Sequence, residues 1–297
     1  MGKLQAYITI ARPANVLSSA ADVIGGALIA TAAIEWLDDT SLLLKAFMLV
    51  LSTACLYAGG IVFNDVYDYD IDRIERPERV LPSGKLTMKE AKRFGAGLFI
   101  LGVFFALLVS FSSAVLALCI VLAAFTYDAK AKHSVIYGPL MMGICRGLNM
   151  LLGISILSNS IIQHVYLAFV PFFYIIGITL ISTCETGRIK KNILDAGCFF
   201  YLLACSGLIA ILYIKGLSLM SILPFLLGFL ILTLIPLIKM QMKVNYGIIR
   251  QAVKNGVIGI VLLDATMAAG YAGPEWALII LVLLPLSMAL SRYFAVT

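Results

Sequence analysis

The chain has 297 residues, of which 62% are hydrophobic and 13% are charged, and its mean hydropathy is +1.02. Soluble domains contain a much smaller apolar fraction, so the composition excludes a soluble fold and predicts an all-α polytopic membrane protein in contact with lipid. The net charge of +6 is spread over short connections rather than concentrated in one patch, which argues against nucleic acid as a partner.

Apolar segments of membrane-spanning length recur along the whole chain and predict a helical bundle of about nine or ten transmembrane helices. No linker or low-complexity tract separates them, so residues 1–297 are interpreted as a single membrane domain. The predicted spans are 15–34, 42–63, 94–112, 114–127, 137–158, 165–184, 196–214, 218–238, 253–272 and 276–293.

Lysine and arginine are concentrated in every second connection between these spans. The stretch from position 73 to position 93 alone contains seven basic residues, whereas the opposite side has only Lys45 and Lys215. Because short loops rich in basic residues stay in the cytoplasm, both termini are predicted to be cytoplasmic. We expect a bacterial cytoplasmic (inner) membrane.

The first span follows Arg12 and contains an ionisable residue, Asp22. Asn15 and Asp22 are seven residues apart and therefore share a helical face. A charge at hydrocarbon depth needs a partner or a cavity. We expect this face to line a central cavity, and polar packing between helices is the alternative.

The second span runs into an acidic segment at residues 64–72. If the helix continues through it, Asp70 points away while one face carries Asn64, Asp65, Asp68 and Asp72. Carboxylates that share a face repel each other unless a cation neutralises them, and hard oxygen ligands suit Mg²⁺. The segment therefore predicts a Mg²⁺ site, with solvated charges paired to the following arginines as the alternative.

A basic loop follows the acidic segment. It contains Arg73, Arg76 and Arg79 together with two prolines, Pro77 and Pro82. Arginine can bind phosphate oxygens with two parallel hydrogen bonds, so a stiff loop of this kind beside a metal site favours a diphosphate ligand.

Further basic and polar residues lie near the fourth and fifth spans. Lys130 and Lys132 follow the fourth span and are candidate phosphate contacts. In the fifth span, Arg146 and Asn149 are three residues apart and face the same side of the helix. A salt bridge from Arg146 to Asp22 or Asp264 is the structural alternative to substrate binding.

These motifs, in this order, resemble the UbiA superfamily of intramembrane prenyltransferases. Residues 64–72 match its NDxxDxxxD motif, and the residues Arg12-Pro13, Pro82-Ser83-Gly84 and 146–149 match other elements. The run at 75–79 resembles the EboC-like branch in particular. The family usually has nine spans, so the stretch from about Glu275 looks like an additional tenth.

The resemblance implies a Mg²⁺-dependent prenyltransferase that moves an isoprenyl or polyprenyl chain from its diphosphate to a hydrophobic, aromatic acceptor on the cytoplasmic side. It implies metal ligands at Asn64, Asp65, Asp68, Asp72 and Glu185, of which Asp68, Asp72 and Glu185 are catalytic. Diphosphate binding is implied for Arg73, Arg76, Lys130, Lys132 and Arg188, and acceptor binding for Arg12, Asn15, Arg146 and Asn149.

The second acidic motif of the family, DxxxD at the end of the sixth span, is depleted. Glu185 is its one remaining acid, although Arg188 could supply positive charge in place of a second metal. The basic element after the fourth span also departs from the family, because Asp128 replaces a proline. These departures support an alternative function, a membrane transporter or binding protein for a lipidic or phosphorylated metabolite.

Overall fold

The computed structural model describes residues 2–32, 39–185 and 189–293, and these segments are helical apart from their connections. The helices are α1 (Lys3–Ala11), α2 (Pro13–Ala30), α3 (Thr40–Tyr67), α4 (Tyr69–Glu75), α5 (Met88–Leu107), α6 (Phe111–Thr126), α7 (Tyr137–Ile154), α8 (Ser160–His164), α9 (Phe169–Ser182), α10 (Lys191–Ile214), α11 (Leu219–Met242), α12 (Tyr246–Tyr271), α13 (Pro274–Leu281) and α14 (Leu283–Tyr293). A π-helical turn, Tyr127–Ala131, extends α6, and a 3₁₀ turn, Val165–Ala168, precedes α9.

Helices occupy the positions of all ten predicted apolar spans, which confirms an all-helical polytopic membrane bundle. Six helices in the described segments are long and apolar enough to cross a membrane, or seven if α1 and α2 form one broken span. Three further predicted spans are helical but do not meet these criteria of length and hydropathy, each for a local reason. Helix α5 begins with charged residues, α7 contains Arg146 and Asn149, and the last predicted span is divided into α13 and α14 at Val282.

Six helices surround a central cavity and the others pack outside them. The inner helices are α2, α3, α6, α7, α9 and α12. Helix α5 packs on α3, α10 on α9 and α11 on α12. Large apolar side chains such as Phe104, Leu122 and Met220 are exposed on the outer surface, as expected for a surface that faces lipid.

Helices α2 and α7 cross in close backbone contact at two glycines. A Cβ atom at Gly26 would lie 2.5 Å from the carbonyl oxygen of Met150, and one at Gly153 would lie 2.8 Å from Cα of Val23. Only glycine fits at such a crossing, and small residues are typical of helix interfaces in membranes. This crossing fixes the distance between Asp22 on α2 and Arg146 on α7.

We predict that Gly153→Ala lowers the stability of the bundle by about 1 to 3 kcal/mol, because the added methyl group would push α2 and α7 apart. The measurement is the thermal unfolding midpoint of the purified protein in detergent. Gly207→Ala on α10 is the matched control, because a Cβ atom there meets no atom within 4 Å. Equal midpoints for the two variants would contradict the crossing described here.

Candidate active site

The acidic segment lies where α3 meets α4. Helix α3 ends at Tyr67, but the amide of Asp68 donates to the carbonyl of Asn64 at 2.9 Å and the amide of Asp72 donates to the carbonyl of Asp68 at 2.8 Å. The helical pattern therefore continues across the junction. Asp65 and Asp72 are only 6% and 4% exposed, whereas Asp70 is exposed to solvent, in agreement with the helical spacing.

Two arginines neutralise the two buried carboxylates of this segment. Arg12 Nη2 donates to Asp65 Oδ1 at 2.5 Å, and Arg79 Nη1 donates to Asp72 Oδ2 at 2.6 Å. Arg79 Nη1 also lies 3.7 Å from Asp65 Oδ1. Each carboxylate thus has an arginine partner, as the burial of a charge requires.

The remaining residues of the motif are paired with the π-helical turn after α6. Lys132 Nζ donates to Asp68 Oδ1. The side-chain amide of Asn64 donates to Asp128 Oδ1 at 2.9 Å, and Asp128 is itself buried. Because the amide nitrogen of Asn64 is engaged in this way, its carbonyl oxygen is left as an acceptor for a cation or a donor group.

Local structure positions both arginines. Arg12 lies between α1 and α2 with φ of 46°, a left-handed conformation found for no other non-glycine residue in the described segments. Such conformations are strained and occur mainly at functional sites. Arg79 belongs to a loop whose Val80 and Leu81 pack against Ala6 and Ile10 of α1. Helix α1 therefore supports both cationic side chains.

An apolar cavity opens directly below this charged cluster. Its outer part has a volume of about 250 Å³ and is bordered by Arg12, Asn64 and Asp128. An adjoining inner part of about 280 Å³ lies between α3, α7, α9 and α12. The walls common to both parts are Leu56, Tyr57, Ile120, Tyr127, Met142 and Cys145.

The inner end of the cavity is polar. Arg146 Nη2 donates to the carbonyl of Ser18 at 2.6 Å, and Arg146 Nε lies 2.7 Å from Asp22 Oδ2. Asn149 donates to Asp22 at 2.8 Å and accepts from the Thr53 hydroxyl at 2.6 Å. The salt bridge from Arg146 to Asp22, considered from the sequence, is therefore present.

Several residues predicted to bind substrate lie away from this cavity. Arg73, Arg76, Lys130 and Asn15 are exposed. In contrast, Lys132, Arg12, Arg146 and Asn149 are brought to the cavity or its mouth. Arg188 lies outside the described residues.

Glu185, the remaining acid of the second motif, follows α9 and is half-buried. Burial raises the pKa of Glu185 above its ordinary value, and the nearby Arg250 opposes this rise. Ser182, one turn earlier, lines the inner cavity. In the part of the chain that the structure describes, no ion pair joins Glu185 to the first acidic cluster.

The donor chemistry of the first cluster fits Mg²⁺. No three His, Cys, Asp or Glu side chains converge on a common point within the described ranges, because basic side chains hold the carboxylates apart. Mg²⁺, however, is usually bound by only one or two carboxylates together with substrate phosphates. Asp68 and Asp72 lie one helical turn apart and are two carboxylates of the kind that Mg²⁺ accepts.

Sequence reasoning missed the role of Asp128 in this cluster, because the sequence marks Asp128 only as a departure from a family element. Pairing of the acids with the following arginines is predicted only as an alternative that does not single out Arg79, and Arg79 does pair with Asp72 and Asp65. A signal did exist for Asp128, since a carboxylate at the end of an apolar span is costly without a partner. Tyr57, which lines the cavity, carried no such signal.

The chain is similar to known proteins over most of its length. The UbiA prenyltransferase family matches residues 23–246. A digeranylgeranylglyceryl phosphate synthase of Saccharolobus solfataricus is 30% identical over 242 residues, 79% of this chain and 82% of that protein. The solved structure of a digeranylgeranylglyceryl phosphate synthase has a TM-score of 0.71 at 24% identity, covering 92% of this chain and 99% of that one. A UbiA homolog from Archaeoglobus fulgidus bound to GPP and Mg²⁺ has a TM-score of 0.52 at 14% identity, covering 97% and 99%.

The fold and the site define an integral membrane protein with a charged cluster at the mouth of an apolar cavity. The chain belongs to the UbiA prenyltransferase family and is a prenyltransferase. The resemblance inferred from the motifs is thereby confirmed. The EboC-like branch gains no support, since the two named relatives described above are digeranylgeranylglyceryl phosphate synthases.

We predict that Arg79→Ala destabilises the ligand-free protein by about 3 kcal/mol, because it leaves the buried carboxylates of Asp65 and Asp72 without this partner. The measurement is unfolding by SDS in mixed micelles. Arg76→Ala is the control and should change stability by no more than about 0.5 kcal/mol, because Arg76 is exposed. A loss at Arg76 as large as that at Arg79 would refute the assignment of ion pairs.

Proposed function

We propose that the protein transfers an isoprenyl chain from its diphosphate to the hydroxyl group of a phosphorylated lipid alcohol. One observation carries the proposal: three carboxylates paired with three basic side chains stand at the mouth of an apolar cavity. A diphosphate suits the charged mouth, and an isoprenyl chain suits the apolar walls.

Binding of the diphosphate uses the basic side chains that hold the carboxylates in the ligand-free state. Arg12, Arg79 and Lys132 turn from the carboxylates to the phosphate oxygens, where arginine gives bidentate hydrogen bonds. Asn64, Asp68 and Asp72 would hold Mg²⁺, whose charge supplies electrostatic stabilisation for the departing diphosphate. The Archaeoglobus fulgidus homolog bound to GPP and Mg²⁺ supports this composition of the site.

Transfer breaks the bond between C1 of the isoprenyl chain and the diphosphate oxygen, and the diphosphate leaves with the electron pair. The basic side chains stabilise the negative charge that develops on it. The apolar walls exclude water, and Tyr57 and Tyr127, which line the cavity, would stabilise the resulting allylic cation through their rings. The acceptor oxygen then forms the new bond to C1, and its proton is released with the diphosphate.

The acceptor is inferred from the relatives. Their name describes a glyceryl phosphate that carries two geranylgeranyl groups, so we propose a glyceryl phosphate lipid with a free hydroxyl. The aromatic acceptor expected from the sequence has no counterpart in this name. The exposed Arg73, Arg76 and Lys130 remain candidate contacts for incoming phosphate, and Glu185 remains the candidate acid of the second motif.

We further propose ten membrane crossings with both termini and the charged cluster on the cytoplasmic side. Helix α5, helix α7 and the pair α13–α14 supply three crossings beyond the seven that length and hydropathy define when α1 and α2 count as one broken span. The basic residues beside the cluster support this orientation. The relatives are archaeal proteins and give no support to a bacterial membrane.

We predict that Asp68→Asn lowers Mg²⁺-dependent release of diphosphate by at least about 100-fold, because the neutral side chain binds Mg²⁺ weakly and the departing diphosphate loses that stabilising charge. The assay uses geranylgeranyl diphosphate and a geranylgeranylglyceryl phosphate acceptor with protein in detergent. The control is Asp70→Asn, which removes the same charge from an exposed position and should retain activity.

Equal losses of diphosphate release in Asp68→Asn and Asp70→Asn would contradict the assignment of Asp68 to the metal site. Absence of diphosphate release by the unmodified protein would refute the proposed reaction and favour the transporter or binding protein.

A further inference from the structure

Two carboxyl groups that the proposed reaction does not use lie in the membrane interior. Asp22 on α2 and Asp264 on α12 are both 0% exposed. A Cβ atom at Gly25 would lie 3.5 Å from Cβ of Asp264, so Asp264 packs against α2 beside Asp22. Three of their oxygens, Asp22 Oδ1 and both oxygens of Asp264, receive no hydrogen bond from the described residues.

One guanidinium faces this pair of carboxyl groups. Arg146 Nε lies 2.7 Å from Asp22 Oδ2, and Asp264 packs against the same stretch of α2 as Asp22. A second carboxylate without a counter-charge would be too costly at this depth, so one of the two groups keeps its proton. A proton shared between Asp22 and Asp264 also supplies the hydrogen bond that their free oxygens lack.

The charge of this cluster determines what the inner end of the cavity can bind. Ser18, whose carbonyl accepts from Arg146, lies six residues after Arg12, or about 9 Å further along α2. Arg146 therefore lies below the charged mouth, where it lines the inner part of the cavity. Since Asp22 already neutralises it, Arg146 offers N–H donors without excess positive charge.

We propose that Asp22 and Asp264 are specificity-determining residues: by neutralising Arg146 they make the inner end of the cavity a subsite for an uncharged hydroxyl and exclude anionic groups. This inference rests on the proposed function, because the hydroxyl is that of the acceptor. An anionic group on the acceptor stays at the mouth, where basic residues are exposed. Arg146 and Asn149 contact the hydroxyl, and the two acids act through Arg146.

The test compares two matched probes, decanol and decanoate, as inhibitors that compete with geranylgeranylglyceryl phosphate at saturating geranylgeranyl diphosphate and Mg²⁺. For each variant, the inhibition constant of decanol is divided by that of decanoate. Partition of the two probes into detergent is the same for every variant, so it does not affect the comparison of these ratios. Asp22→Asn and Asp264→Asn should each keep the ratio of the unmodified protein, because the remaining acid ionises and neutralises Arg146. The double variant should shift the ratio toward decanoate by at least about tenfold, since a positive Arg146 then makes a charge-assisted hydrogen bond.

An unchanged ratio in the folded double variant would overturn the inference, and so would a full shift in either single variant. If the double variant does not fold, Arg146→Gln decides the question. It should raise KM for the acceptor about tenfold and leave KM for the diphosphate unchanged, through loss of one hydrogen bond to the hydroxyl. If Arg146 only supported the fold, its replacement would leave the KM values for acceptor and diphosphate nearly unchanged, or it would change both by a similar factor. Absence of turnover by the unmodified protein would instead refute the proposed function.

Discussion

The ion pairs between the carboxylates at the end of α3 and basic side chains from three other parts of the chain are the constraint on which the site depends. Asp65, Asp68 and Asp72 follow one another on a helical face at the edge of the membrane, where their mutual repulsion is costly. Arg12 comes from the junction of α1 and α2, Arg79 from the loop after α4, and Lys132 from the turn after α6. Neutralising these acids therefore also draws the surrounding helices together around the cavity mouth.

The cavity below this mouth changes in polarity with depth. Its walls are apolar and aromatic, as an isoprenyl chain and a cationic intermediate require. Its inner end carries Arg146 and Asn149, held in place by Asp22 and by the glycine crossing of α2 and α7. Charge is thus balanced at both ends of the cavity, and the exchange of basic partners for a metal ion that we propose concerns the outer cluster.

Much of the fold could be predicted because hydropathy and helical spacing are local properties. Helices occupy all ten predicted spans, and the spacing of the acids placed Asp70 apart from the buried face. The basic partners could not be predicted in the same way. Arg76 and Arg79 lie in one irregular loop without periodicity, and only its packing on α1 directs Arg79 inward. Likewise, the π-helical turn directs Asp128 and Lys132 inward and leaves Lys130 exposed. The spacing of the two lysines in the sequence does not indicate which of them points inward.

We propose that basic side chains hold the carboxylates until metal and diphosphate arrive together. Calorimetric titration of Mg²⁺ into the purified protein, with and without geranylgeranyl thiolodiphosphate as an unreactive analogue, tests this coupling most directly. We expect the analogue to tighten Mg²⁺ binding at least about tenfold, and Mg²⁺ to tighten binding of the analogue by the same factor. Equal Mg²⁺ affinity in the presence and absence of the analogue would contradict it.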